Sequence, residues 1–251
     1  MGIQIVGVGA YVPKKAVDNY ELAKTVDTSH EWIVARTGIV ERRYAEPDEA
    51  PSDMGCRAAQ ACLENAKVDK SDVDLIVVAC ATPDQSQPAV ACLIQEKLGI
   101  GERRCPAFDV NSVCAGFVFA LDVAQSMMIA HPERYRHVLV IGADAFSRIM
   151  NWQDRRTCIF FGDAAGAVLL KQTPGDHRIQ FSLGSDGRGR HCIEVPAGGT
   201  RRPVDEEVLA KRLNTFTMMG PKVWDFAIET VPRTIRALLE EHRLTPQDLD
   251  L

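Results

Sequence analysis

Cys114 lies where the hydrophobic pattern of the sequence changes from that of a strand to that of a helix. A short apolar run precedes the cysteine and predicts a buried strand (Ala107, Phe108, Val110), and apolar residues recur after it at helical spacing (Phe117, Leu121, Ala124, Met128). A thiol at the start of a helix meets unpaired N–H groups and the positive end of the helix dipole, and both favour the nucleophilic thiolate. Ala115 and Gly116 are small enough to let a substrate approach closely. The pattern fits a nucleophile, and it also fits a buried structural cysteine.

The elements that would position this cysteine alternate between strands and helices. We expect strands at 3–8, 75–80, 107–110, 137–141, 165–170 and 179–183, and helices at 19–26, 29–36, 52–66, 87–98, 114–130 and 221–242. Such alternation predicts an α/β fold with a largely covered sheet. Gly7 and Gly9 follow the first strand without the third glycine of a dinucleotide loop, so they are only a weak indication of a Rossmann fold.

An internal repeat predicts two similar halves. Residues 61–75 align without gaps to residues 237–251, with six of fifteen positions identical. In the first copy a strand follows at once, whereas the second copy stops at that point. We therefore interpret residues 1–175 as one α/β half and residues 176–251 as the start of a second half, which we expect to be incomplete in this chain.

Composition excludes several classes of function. The chain has 251 residues, 46% hydrophobic and 25% charged, and a net charge of −5, which gives no global support for nucleic-acid binding. The basic pairs at 42–43, 103–104 and 155–156 are interpreted as solvated surface. The eight cysteines show no metal-ligand spacing, so we expect no metal site, reduced thiols and a cytoplasmic location. We find no signal peptide and no apolar run near the roughly 20 residues that span a bilayer, so we expect no membrane association.

Four stretches together resemble one family, the β-ketoacyl-acyl carrier protein synthases III of the thiolase superfamily. They are Asp27–Ile39 with Arg42 beyond it, Phe108–Phe117, Phe161–Ala167 and Thr217–Trp224. The resemblance implies a thiolase-like, five-layered αβαβα fold built from two duplicated halves, and a homodimer.

The resemblance makes Cys114 the acyl-accepting nucleophile. It implies that acyl-CoA acylates the thiol, and that malonyl-acyl carrier protein then loses carbon dioxide and attacks the acyl-cysteine to give a 3-oxoacyl product. The CoA thioester is a substrate, and no separate cofactor is implied. The His, Asn and glycine that complete the family's site would lie beyond Leu251, so the chain is expected to be the first three-quarters of an enzyme.

The resemblance also implies a CoA site. Trp32 and Arg36, one helical turn apart, match residues that bind the adenine and the nucleotide. Thr28 is a weaker contact candidate, and Arg155 matches an arginine on the other side of the adenine. The family commonly has glycine where this chain has Arg156. From the residues alone, an amphipathic surface helix with a half-buried tryptophan remains open.

Two further positions bear on the acyl group. Trp224 replaces a common phenylalanine near the pantetheine channel, and without the resemblance it would be interpreted as a core residue. The segment 82–88 matches a loop that reaches the acyl pocket of the partner subunit, with Gln87 where phenylalanine is frequent. A polar glutamine predicts a pocket that is not tuned to a short alkyl primer.

Three functions remain open. The first is the decarboxylating condensing enzyme of fatty-acid initiation. The second is a related acyltransferase of secondary metabolism, which Gln87 and Arg156 keep open. The third is a non-catalytic truncated subunit that binds CoA or a partner.

Overall fold

The computed structural model describes residues 1–101 and 104–250 of the chain. Arg103, of the predicted basic pair, and Leu251, the last residue of the repeat, lie outside the described residues. Contacts divide the chain into two compact units: residues 1–148 with 160–179, and residues 149–159 with 180–250. The division into halves at residue 175 stays a prediction.

The first unit is built on a five-stranded mixed sheet. Its elements in chain order are β1 (Gly2–Tyr11), β2 (Lys15–Asp18), α1 (Asn19–Leu22), α2 (His30–Thr37), β3 (Glu41–Tyr44), α3 (Pro51–Ala66), β4 (Leu75–Ala79), α4 (Val90–Leu98), β5 (Ala107–Val110), α5 (Gly116–Ala130), β6 (His137–Ala145) and β7 (Asp163–Thr173). The sheet order is β1-β7-β6-β4-β5, in which β4 runs parallel to both neighbours and β7 runs antiparallel to both of its own. Every residue of β4 is buried, as expected for a central strand covered on both faces.

Helices cover both faces of this sheet. Helices α3 and α4 pack on one face, with a core that includes Met54, Ile94 and Ile141. Helix α5 packs on the other face, where Ala120, Ala124 and Met128 meet residues of β4 and β6. This arrangement confirms the predicted α/β layering.

Gly9 is explained by close packing of β1 against α3. A Cβ at Gly9 would lie 2.3 Å from both Ala58 O and Cys62 N, and one at Gly7 would lie 2.6 Å from Ala66 Cβ. These glycines therefore let a helix approach the strand and do not form a dinucleotide loop.

Helix α5 is more apolar than the sequence analysis allowed. The window Val113–Ala130 has a mean hydropathy of 1.8 and is 28% buried, so by length and composition alone it is apolar enough to cross a membrane. The expectation that no run approaches this length was wrong. Core helices have the same composition, and the buried face of α5 packs on the sheet.

Several local predictions were also wrong. The predicted strand at 179–183 does not form, and the side-chain amide of Gln125 instead bonds both backbone groups of Ile179, at 2.9 and 2.8 Å. The short strands β2 and β3 were missed. Arg42, on β3, was interpreted as solvated surface, but it is 6% exposed and its guanidinium donates to Val17 O.

The second unit contains two short strands and two helices. They are β8 (Ile193–Glu194), α6 (Glu206–Ala210), β9 (Thr217–Met218) and α7 (Gly220–Glu241), with β8 antiparallel to β9. The predicted helix at 221–242 is thereby confirmed to within one residue at each end.

Candidate active site

Cys114 lies in a turn that joins β5 to α5. Strand β5 ends at Val110, a 3₁₀ turn spans Val113–Ala115, and α5 begins at Gly116. The predicted strand-to-helix junction is confirmed, although the helix starts two residues later than expected. Cys114 is exposed, so it is not a buried structural cysteine.

The backbone just before Cys114 is strained. Val113 has a φ of +46°, in the left-handed region that β-branched residues rarely adopt. Its N–H donates to Asn111 Oδ1 at 3.2 Å, and the N–H of Ala115 donates to Ser112 O at 3.1 Å. These bonds hold the turn in a conformation that costs on the order of 1–3 kcal/mol. Strain of this kind is common where a functional side chain must be presented.

The N–H of Cys114 itself has no hydrogen-bond partner among the residues that the structure describes. It lies in the 3₁₀ turn that leads into α5, two residues before the helix begins, and so close to the positive end of the helix dipole. A group in this position can donate to an oxyanion that forms on an acyl group attached to the same residue.

The buried cysteines differ from Cys114 in their chemistry. Burial raises the pKa of the Cys62 thiol to about 11. Burial, together with the nearby Asp144 carboxylate, raises the pKa of Cys80 to about 12. Cys92 is exposed like Cys114, but it lies within α4 and donates from Sγ to Ala107 O at 3.7 Å. Cys114 is exposed and lies in the turn just before α5.

Helix α2 brings together two of the predicted CoA-binding residues. The guanidinium carbon of Arg36 lies 4.4 Å from the centre of the Trp32 ring, a cation–π contact that confirms their shared face. Ser29 caps the start of the helix, because its Oγ accepts from Trp32 N at 3.1 Å. Gly38 caps the other end in the left-handed conformation.

Thr28 lies just before this helix. Its Oγ1 is buried, and within residues 1–101 and 104–250 no group bonds to it. An unpaired buried hydroxyl is unfavourable unless a ligand or water completes it. Because this oxygen is buried within the protein, its lack of a partner does not itself indicate a ligand, and the contact of Thr28 with CoA stays a prediction.

Two aspartates anchor the ends of the loop that carries Gln87. The Asp144 carboxylate accepts from Thr82 N at 3.0 Å and from Thr82 Oγ1 at 2.7 Å, and burial raises the pKa of Asp144 despite these bonds. The Asp109 carboxylate accepts from Val90 N at 2.7 Å and thus caps α4. Sequence reasoning missed both roles; the only signal was an aspartate near the end of each strand.

Gln87 itself is exposed between these anchors. Its backbone carbonyl oxygen accepts from Gln85 Nε2 at 2.7 Å. A third anchor lies within the loop, where Ser52 Oγ donates to Asp84 Oδ2 at 2.6 Å. The backbone around Gln87 is thus fixed at three points.

The remaining predicted site residues, Arg155 and Trp224, belong to the second unit. Arg156 beside Arg155 donates to both carboxylate oxygens of Asp154, at 2.8 and 3.1 Å, and this contact lowers the pKa of Asp154. Trp224 is 67% exposed on α7, so it is not a core residue here. Among the described residues no group of three or more His, Cys, Asp or Glu side chains could hold a metal ion.

A mixed five-stranded sheet between helical layers, with an exposed cysteine at a strand-to-helix turn, places the chain among thiolase-like α/β transferases. The family model for 3-oxoacyl-[acyl-carrier-protein] synthase III matches residues 108–187, which contain Cys114. The β-ketoacyl-[acyl-carrier-protein] synthase III of Caldanaerobacter subterraneus subsp. tengcongensis is 43% identical over 248 residues, 98% of this chain and 74% of that protein.

Solved structures agree. The 3-oxoacyl-[acyl-carrier-protein] synthase III from Aquifex aeolicus aligns with a TM-score of 0.84 and 32% identity over 99% of this chain and 74% of that one. The priming β-ketosynthase of the R1128 polyketide pathway aligns with a TM-score of 0.85 and 30% identity over 99% and 72%. The chain belongs to the β-ketoacyl-[acyl-carrier-protein] synthase III family, and its function is that of a condensing acyltransferase of fatty-acid biosynthesis.

Proposed function

We propose that Cys114 accepts the acyl group from an acyl-CoA. The Cys114 thiolate attacks the thioester carbonyl, a tetrahedral oxyanion forms, and the CoA thiolate leaves and takes up a proton. The exposed position of Cys114 in the turn that leads into α5, with its own N–H unengaged, is the observation that carries this proposal. That N–H is available to donate to the oxyanion.

The second step uses malonyl-acyl carrier protein. Loss of carbon dioxide leaves a carbanion that attacks the Cys114 thioester, and the 3-oxoacyl-acyl carrier protein forms as the cysteine thiolate is released. The thioesters supply activated acyl groups, so the proposed reaction requires no further cofactor.

Helix α2 supplies part of the CoA site in this proposal. Trp32 offers a ring face for the adenine, and Arg36, which already lies over the ring, offers a cation near the phosphates. Thr28, just before this helix, is proposed as a weaker polar contact. Arg155 and Trp224 are proposed as further contacts, to the adenine and to the pantetheine arm respectively.

Gln87 sets the acyl pocket across a homodimer in the same proposal. Its exposure on an anchored loop supports a role outside its own subunit. The free state of all eight cysteines supports a reducing, cytoplasmic location.

The experiment that tests the function is incubation with an acyl-CoA and malonyl-acyl carrier protein. A 3-oxoacyl-acyl carrier protein that requires both substrates supports condensation. One alternative is a related transferase of secondary metabolism, and the similarity to a priming ketosynthase of a polyketide pathway shows that relatives of this chain occur there. Transfer of the intact acyl group to another acceptor, without decarboxylation, would support that alternative. Failure of Cys114 to take up any acyl group would favour a non-catalytic subunit.

A further inference from the structure

The side chain of Asn19 contacts both ends of helix α2. Asn19 is the first residue of α1 and is 0% exposed. Its Nδ2 donates to Ile39 O at 2.7 Å, directly after the glycine that ends α2. The same Nδ2 lies 3.5 Å from Nδ1 of His30, the first residue of α2. One buried amide nitrogen therefore contacts residues at both ends of the helix.

A second contact fixes the start of α2 against α1. The His30 ring stacks on the ring of Tyr20, with centroids 4.7 Å apart and an interplanar angle of 3°. Helix α2 has eight residues, too few to hold a stable orientation alone, so its position depends on tertiary contacts of this kind.

The Asn19 amide is more than a space-filling group. Its Oδ1 is buried without a partner among the described residues, so packing alone would be better served by an apolar side chain of similar size. What the amide supplies is a directional bond to the chain just beyond Gly38.

We propose that Asn19 is a positioning residue for the CoA nucleotide. It acts through α2, whose exposed face carries Trp32 and Arg36, and it contacts neither the substrate nor Cys114. The inference rests on the proposed function, because it takes α2 to be the nucleotide-binding helix.

The test compares Asn19→Leu with Gln125→Leu in the full chain. Gln125 is a matched control, since it is 6% exposed and its amide makes two backbone bonds in the same unit, to Ile179. The substrates are an acyl-CoA and the corresponding acyl-phosphopantetheine, which lacks the adenosine part. The readout is the rate of acylation of the protein as a function of substrate concentration.

Loss of one directional bond predicts about a tenfold rise in KM for acyl-CoA in Asn19→Leu, with kcat within about twofold of wild type. The same variant should react with acyl-phosphopantetheine as wild type does. Gln125→Leu should lower the melting temperature without changing either KM. If Asn19→Leu does not fold, Asn19→Ser, which is too short to reach Ile39 O, replaces it.

Two results would overturn the inference: an unchanged KM for acyl-CoA, or an equal loss with both substrates, which would mark a merely structural role. Trp32→Ala separates this failure from that of the proposed function. If Trp32→Ala also leaves the KM for acyl-CoA unchanged, α2 is not the nucleotide site. If only Trp32→Ala raises it, the role of Asn19 alone is refuted.

Discussion

The eight cysteines should differ in reactivity by orders of magnitude, and acyl-CoA should protect one of them. At pH 8 a thiol with a pKa of about 12, as for Cys80, is ionised in about one molecule in 10,000. For Cys62, with a pKa of about 11, the fraction is about one in 1,000. A free cysteine in solution is about one-quarter ionised at this pH. Burial slows the two thiols further, because the alkylating reagent must reach them.

The assay is a time course of alkylation by iodoacetamide at pH 8, followed by peptide mass spectrometry. We expect Cys114 and Cys92, the two exposed thiols, to react at least about 100-fold faster than Cys62 and Cys80. Denaturation in urea should remove the difference, which controls for peptide detection.

Preincubation with acyl-CoA then distinguishes the two exposed thiols. It should protect Cys114 and leave the alkylation rate of Cys92 unchanged, because Cys92 is bonded within the α4–β5 packing and lies outside the proposed acyl-transfer step. Equal protection of both residues, or alkylation of Cys80 as fast as Cys114, would refute the reasoning.

Three other predictions concern packing, pH and acyl preference. Gly9→Ala should lower the free energy of unfolding in urea by about 2–4 kcal/mol, because its Cβ would meet backbone atoms at 2.3 Å. The control is Gly166→Ala, whose Cβ meets nothing within 4 Å and which should change the free energy of unfolding by less than about 1 kcal/mol. Burial raises the pKa of Asp53, but the hydrogen bonds from Lys97, 2.5 Å away, and from the backbone N–H of Ala50, together with the charges of Lys97 and Arg57, outweigh it and leave the pKa lowered. The stabilisation by the ionised Asp53 is therefore present at neutral pH and is lost as the pH falls below about 4. Asp53→Asn should lower the free energy of unfolding by about 0.5 kcal/mol at about pH 7. Chemical unfolding near about pH 2 should find no difference between this variant and the wild type. Chain-length profiling should find no strict acetyl-CoA preference in the wild type and a shift toward short acyl-CoA in Gln87→Phe; a strict acetyl-CoA preference in the wild type would contradict the role given to Gln87.

Local sequence patterns were sufficient to predict those features of the site that depend on the spacing of residues along a strand or a helix. The change from strand to helix spacing located Cys114 at its turn, and the four-residue spacing placed Trp32 and Arg36 on one face. Both inferences depend on neighbours within a few positions. Periodicity is set by such neighbours, so it survives without knowledge of the fold.

Contacts between distant residues could not be predicted in the same way. Asp144 bonds Thr82 across 62 positions, and Asn19 reaches Ile39 across 20. No local pattern marks these side chains as anchors, because each partner lies far away in the sequence and includes a backbone group that any residue type would supply. In the predicted strand at 179–183, which does not form, Ile179 makes its two backbone bonds to an amide from α5, another contact that no local pattern indicates.

The most direct measurement is to find which residue carries the acyl group after incubation with an acyl-CoA. Intact-mass spectrometry should show one acyl group per chain, peptide mapping should place it on Cys114, and Cys114→Ala should take up none. An acyl group on another residue, or undiminished labelling of Cys114→Ala, would contradict the assignment of Cys114 as the nucleophile.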